Sequence, residues 1–144
     1  MPQRTLRIDQ QIATVWDRLQ QLDSWEGIGG MGQLRDPEHA SDGSLKGFAY
    51  SLDTPVGTVD DTAEVTSTKR KVGAHSMRVQ TETKGLRVTI ELALTAVDEA
   101  TNAEFSIDAE ATNFLARPLA STLRHTLDSG IVRESDRMKV RLEA

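Results

Sequence analysis

Cysteine is absent from the 144 residues, which excludes disulfides, thiolate nucleophiles and cysteine-ligated metal centres, and leaves any metal to histidine and carboxylate ligands. Aromatic residues are scarce at 4%, so filling the interior falls to Leu, Val, Ala and Met. Such a core either leaves a void or is packed by smaller side chains, and composition leaves both open. Basic residues are the minority, 17 Lys and Arg against 22 Asp and Glu for a net charge of −5. Binding to phosphates needs concentrated positive charge, so a nucleic-acid partner is not expected. No apolar run approaches the ~18 residues of a membrane span. The opening MPQRTLRIDQQ also lacks the apolar centre of a signal peptide, and a cytoplasmic location is the simplest expectation. With no repeat, linker or low-complexity stretch, residues 1–144 are expected to form a single domain.

What is present is alternation. Leu6 and Ile8 share a face of a first strand over residues 2–8. Asp9 then offers an N-cap for a helix running to Leu22, with Ile12, Val15, Trp16, Leu19 and Leu22 on one side. Ser24 is placed to cap a second short turn through Trp25, which the glycines of GIGGMG terminate. Turn-rich breaks at 37–43, 54–57, 69–73, 83–85 and 98–102 then divide the chain into six strands at about 32–37, 44–53, 58–68, 74–83, 86–97 and 103–112. Strand parity puts Phe48, Tyr50 and Leu52, Asp61, Ala63 and Val65, His75, Met77 and Val79, Val88 to Leu94 by twos, and Phe105, Ile107 and Ala109 on the covered face. Thr66, Thr68, Arg78, Thr89, Glu91, Ser106 and Glu110 fall on the wet face.

The last thirty residues form an amphipathic helix in which Leu115, Leu119, Leu123, Leu127 and Ile131 recur every four positions. Pro118 lacks an N–H and is costly inside a helix, so the regular helix is expected to begin near Arg117 or Pro118, with 113–116 as a separate turn. Past Gly130 the stripe drifts around the axis to Met138 and Leu142. The first half is therefore read as a cavity lid, and the second half as packing beyond the sheet edge or against a partner.

The order strand, two short helices, six strands and a long final helix resembles that of the START-like superfamily. Its members include birch-pollen-allergen relatives, polyketide cyclase/dehydrase-like proteins and a group of bacterial proteins linked to carbon-monoxide dehydrogenase. Ile8-Asp9, Ile12, Val15-Trp16, Leu19, Leu22 and Trp25 are similar to the family's opening pattern. The small-Pro-acidic run usual before the first helix is replaced by Asp9-Gln10-Gln11. The resemblance implies an α+β helix-grip fold, in which a curved seven-stranded antiparallel sheet wraps a long C-terminal helix and leaves a cavity for a small hydrophobic or amphipathic molecule. Taken with parity and the leucine stripe, that place is lined by Trp25, Phe48, Tyr50, Met77, Ile90, Leu92, Phe105, Ile107, Leu119, Leu123 and Leu127.

Chemical motifs are weak. Gly27, Gly29 and Gly32 match G-x-G-x-x-G, but a dinucleotide site needs that run to leave a strand and open a helix. Here it precedes a strand, and it is read as a flexible loop at the cavity mouth. Ser121, His125 and Asp128 share one helical face, yet at ~100° per residue that face lies opposite the leucines, toward solvent. Asp61, His75 and Tyr50 are weak candidates for proton transfer, since parity turns them inward. Asp60, Asp61 and Glu64 do not make a metal site, because adjacent strand residues point to opposite faces. No cofactor or metal is expected. Three functions remain open: binding or carrying a hydrophobic ligand, as in lipid transport; a cyclase/dehydrase-like enzyme using the same cavity; and a protein-interaction domain with no small ligand.

Overall fold

The computed structural model describes residues 3–54, 57–83 and 85–144. Pro2, expected at the start of the first strand, lies outside them, as do Pro55, Val56 and Lys84 in two of the expected turns. The chain begins with β1 (Gln3–Ile8), α1 (Ile12–Leu19) and two 3-10 turns (Leu22–Ser24 and Ile28–Gly30). Six strands follow: β2 (Gly32–His39), β3 (Leu45–Thr54), β4 (Gly57–Lys71), β5 (Ala74–Thr83), β6 (Leu86–Val97) and β7 (Ala100–Ala111). A 3-10 turn (Phe114–Ala116) then leads into α2 (Arg117–Glu143). The seven strands form one antiparallel sheet in the order β1-β7-β6-β5-β4-β3-β2. It curves around α2 as the α+β helix-grip order implies.

Local chemistry departs from the sequence expectation at several joints. Asp9 does not cap α1: the N-cap is Gln11, with no side-chain bond. Asp9 instead accepts from Arg7 Nε at 3.0 Å, and its backbone N–H donates to Glu143 at 2.8 Å, tying the start of the chain to the end of α2. Ser24 closes its 3-10 turn rather than opening it, its hydroxyl donating to the Arg18 carbonyl at 2.7 Å. β2 runs on to His39 through Pro37, which an edge strand tolerates because the missing N–H need face no neighbour. Proline does fall where expected at the head of α2, in the first turn, where its lack of an N–H costs no hydrogen bond.

A bulge in β4 changes which side chains look inward. Val65 pairs with Val79, but Ser67 pairs with Arg78 and Thr68 with Met77. Thr66 is the extra residue, and beyond it the parity of β4 inverts. Thr68, expected on the wet face, turns with Arg70 toward Trp16, whose ring lies 5.6 Å beneath the Arg70 guanidinium. Ser106 does lie on the outer face, yet it is only 8% exposed between its register partners Gln3 and Glu91.

The core concentrates under the rear of the sheet. Trp16, Leu19, Trp25, Ile28, Phe48, Leu92, Leu94, Phe105 and Ile107 are buried there with Met138 and Leu142 of α2. The second half of α2 is therefore neither beyond the sheet edge nor reserved for a partner. Ile131, Ser135, Met138 and Leu142 are buried as the helix packs on β7, β1 and α1. The drift of the stripe that suggested otherwise follows the twist of the strands it covers.

Candidate functional site

The front half of α2 stands off the sheet. Ala116 and Ala120 are buried, and Arg124 Nε donates to the Ala109 carbonyl at 2.5 Å beside Asp108, so this edge of the helix sits close to β7. The leucine face looks the other way. Leu119 is 55% exposed, and Leu123 and Leu127 are half-buried. Beneath these three leucines lies a cavity of about 310 Å³. Its floor is Tyr50 and Leu52 of β3, Val59 of β4, Thr81 and Thr83 of β5, and Leu86, Val88 and Ile90 of β6; Gly29 and Met31 close one flank. The void follows from side-chain volume. The rings of Trp25, Phe48 and Phe105 fill the rear, whereas the floor under the leucines offers mostly Val, Leu and Thr. These cannot span the gap, and interiors with no such gap are the rule.

Five of the sequence-predicted ligand residues meet at this cavity: Tyr50, Ile90, Leu119, Leu123 and Leu127. Trp25, Phe48, Met77, Leu92, Phe105 and Ile107 lie in the packed core and do not line it. Trp25 spends its indole N–H on the Leu19 carbonyl at 2.9 Å. Gly29, Met31, Leu52, Val59, Thr81, Thr83, Leu86 and Val88 were missed as lining residues. Parity could have found Thr81 and Thr83, which alternate with Glu82 and continue the inward series of Met77 and Val79.

The polar groups of the cavity sit together on adjacent strands. Tyr50 is register partner of Asp61, and Asp61 accepts a hydrogen bond from the Thr83 hydroxyl and one from the Thr62 N–H at 2.8 Å. The Tyr50 hydroxyl is 2.5 Å from Thr81 Oγ1, which also donates to the Thr62 carbonyl at 3.2 Å. His75 does not join them. It pairs with Arg70, nine residues along β4 from Asp61, or roughly 30 Å at ~3.3 Å per residue. Its ring packs edge-on to Trp16 with centroids 5.2 Å apart, and its buried Nδ1 has no hydrogen-bond partner among the described residues. A shared proton-transfer role for Asp61, Tyr50 and His75 is thus geometrically excluded.

The glycine loop is pinned rather than loose. Gly29 N–H donates to Glu134 at 3.1 Å, Arg137 reaches the Gly27 carbonyl at 3.1 Å, and Arg141 donates to the Glu26 carbonyl. The Glu26 carboxylate in turn accepts from the N–H groups of Gln33 and Leu34. The loop leads into β2 and opens no helix longer than a single 3-10 turn, so it lacks the aligned N–H groups that hold a pyrophosphate.

Ser121, His125 and Asp128 are exposed on the outer face of α2, in an open polar groove with Asp108 and Arg124. Among the described residues no hydrogen bond joins the three. No cluster of three or more His, Asp or Glu suited to a metal occurs among the described residues. The groups with displaced proton affinity lie on the surface. Asp42 is held below its ordinary value by hydrogen bonds from the Ser44 hydroxyl and N–H, and Arg87 is raised by Glu110 and then Glu82. No described helix is long and apolar enough to cross a membrane.

Shape places the chain among known proteins more firmly than sequence does. No protein-family model and no curated protein matches it. Among solved structures, a START superfamily protein from Mycobacterium smegmatis superposes with a TM-score of 0.66 at 9% identity, covering 98% of this chain and 95% of that one. The chain adopts the START-like, helix-grip fold. Two other structures carry the same START-like architecture. Ara h 8.0201 matches with a TM-score of 0.61 at 9% identity over 97% of this chain and 95% of its own. The di-domain ARO/CYC StfQ from the steffimycin biosynthetic pathway matches with a TM-score of 0.65 at 16% identity over 98% of this chain, which spans 48% of that two-domain protein.

Proposed function

We propose that residues 1–144 act as one START-like domain that binds or carries a small hydrophobic or amphipathic molecule between the sheet and the front half of α2. The observation that carries this reading is the cavity itself, about 310 Å³ roofed by Leu119, Leu123 and Leu127 and floored by Leu52, Val59, Leu86, Val88 and Ile90 together with Tyr50, Thr81 and Thr83. That volume is at the lower end of the ~300–1,000 Å³ typical of small-molecule sites. Burial of ligand surface there supplies ~25 cal/mol per Å², and Tyr50, Thr81 and Thr83 supply orientation.

The cyclase-like alternative needs a group able to hand over a proton at the cavity wall. The lining offers hydroxyls already engaged in hydrogen bonds, and Asp61 is bonded to Thr83 and the Thr62 N–H. The interaction-domain alternative is best served by a filled interior, and the open cavity argues against it. Titration with the uncharged dye N-phenyl-1-naphthylamine, read by fluorescence and by melting temperature, tests the binding reading. One saturable site and a rise in melting temperature are expected, both removed by Leu123→Arg. Failure of this dye and of uncharged naphthalene to bind would refute it.

A further inference from the structure

The three hydroxyls on the cavity wall have a forced hydrogen-bond direction. The Thr62 carbonyl can only accept, so the Thr81 hydroxyl proton that reaches it at 3.2 Å is spent there. Thr81 Oγ1 must then accept in its contact with Tyr50, and the Tyr50 proton is spent in turn. Thr83 donates its proton to the Asp61 carboxylate. Each hydroxyl has one proton and two lone pairs, so what remains toward the cavity is acceptor capacity alone. Among the described residues that line the cavity no side chain carries a cationic group or a free N–H to offset this, and the charge standing behind the wall is that of Asp61.

We infer that the site selects an uncharged ligand whose polar end is a hydrogen-bond donor, an alcohol or phenol, and discriminates against carbonyl, ether and carboxylate ends on the same skeleton. This rests on the binding reading above and sharpens it to a ligand class. A hydroxyl donates into the lone pairs of Thr83 or Tyr50. A carbonyl brings lone pair against lone pair, and a carboxylate adds repulsion from Asp61 and the cost of burying a charge.

Five compounds on one skeleton test it at neutral pH: naphthalene, 2-naphthol, 2-methoxynaphthalene, 2-naphthoate and, as the carbonyl member, 2-acetonaphthone. Competition against the bound dye is expected to rank 2-naphthol at least about tenfold above the ether and the ketone, with 2-naphthoate weakest. Two variants then separate orientation from mere packing. Thr83→Val removes an acceptor and should shrink the preference for naphthol, while Thr83→Ser keeps it. Thr81→Val removes the acceptor of the Tyr50 proton, leaving that hydroxyl free to donate, so 2-acetonaphthone should gain several-fold relative to naphthol. Circular dichroism and melting temperature establish that each variant is folded. Equal binding of naphthalene, naphthol and ketone would overturn the donor preference and leave the cavity reading standing; no binding by any of them would overturn both.

Discussion

The carboxylate of Glu134, on the rear half of α2, accepts the backbone N–H of Gly29, a residue of the cavity flank, at 3.1 Å. Through this bond the packed half of the helix holds the loop that closes the open half. The Glu134 side chain is only 12% exposed, where a charged hydrogen bond contributes ~1.5–3 kcal/mol. Glu134→Ala is expected to lower stability by about that amount and to speed both association and release of a bound dye in stopped-flow measurements. Unchanged dye kinetics would show that the loop is held without it.

The two halves of α2 predict opposite responses to truncation. Met138 is 2% exposed in the core and Leu119 is 55% exposed over the void. Met138→Ala should cost ~2–5 kcal/mol in urea unfolding, and Leu119→Ala no more than ~1 kcal/mol. Leu123→Arg should abolish dye binding while the far-ultraviolet circular dichroism remains native, since the arginine replaces a half-buried side chain above empty space.

Ser121→Ala and His125→Ala should change neither dye affinity nor melting temperature measurably, because both side chains are exposed on the helix face away from the cavity. Loss of any function in His125→Ala would place activity in the outer groove instead.

Gly47 allows β3 to approach β4 closely. A Cβ there would stand 2.9 Å from the Ala63 carbonyl oxygen, a backbone atom that cannot move without disturbing the ladder. Gly47→Ala should therefore destabilise by ~1–3 kcal/mol, whereas Gly43→Ala meets no atom within 4 Å and costs chiefly its positive φ of 86°. Thermal unfolding of the two variants compares a clash with backbone strain.

Much of this fold was legible because strands alternate and breaks are punctuated. The inward series Met77, Val79 and Ile90, Leu92 stands where parity put it, and Pro118 marked the start of α2 within a residue. The site was harder to see. Parity states which face a residue shares, not whether the space above it is filled, so Phe105 and Ile107 in the packed rear looked no different from Ile90 at the void. Thr66 carried no sign that it would be the unpaired residue of a bulge, since bulging is decided by the neighbouring strand, and the inward turn of Thr68 went with it. Asp9 was read as a cap from local chemistry, but its N–H found Glu143, 134 residues away, and its carboxylate found Arg7.

Mechanically, α2 is a beam clamped firmly at one end and tethered lightly at the other. Ile131, Met138 and Leu142 clamp the rear, while the front is held against β7 by two alanine methyls and Arg124. Gly130, at the junction, is the weakest helix former in the interior of α2, beyond the first turn that holds Pro118. From there to Arg117 is about 20 Å at 1.5 Å per residue, so a bend of about 10° would carry the lightly held front end roughly 3–4 Å. The width of the opening beneath Leu119 is thus governed by the stiffness of the helix at a residue that takes no part in lining it.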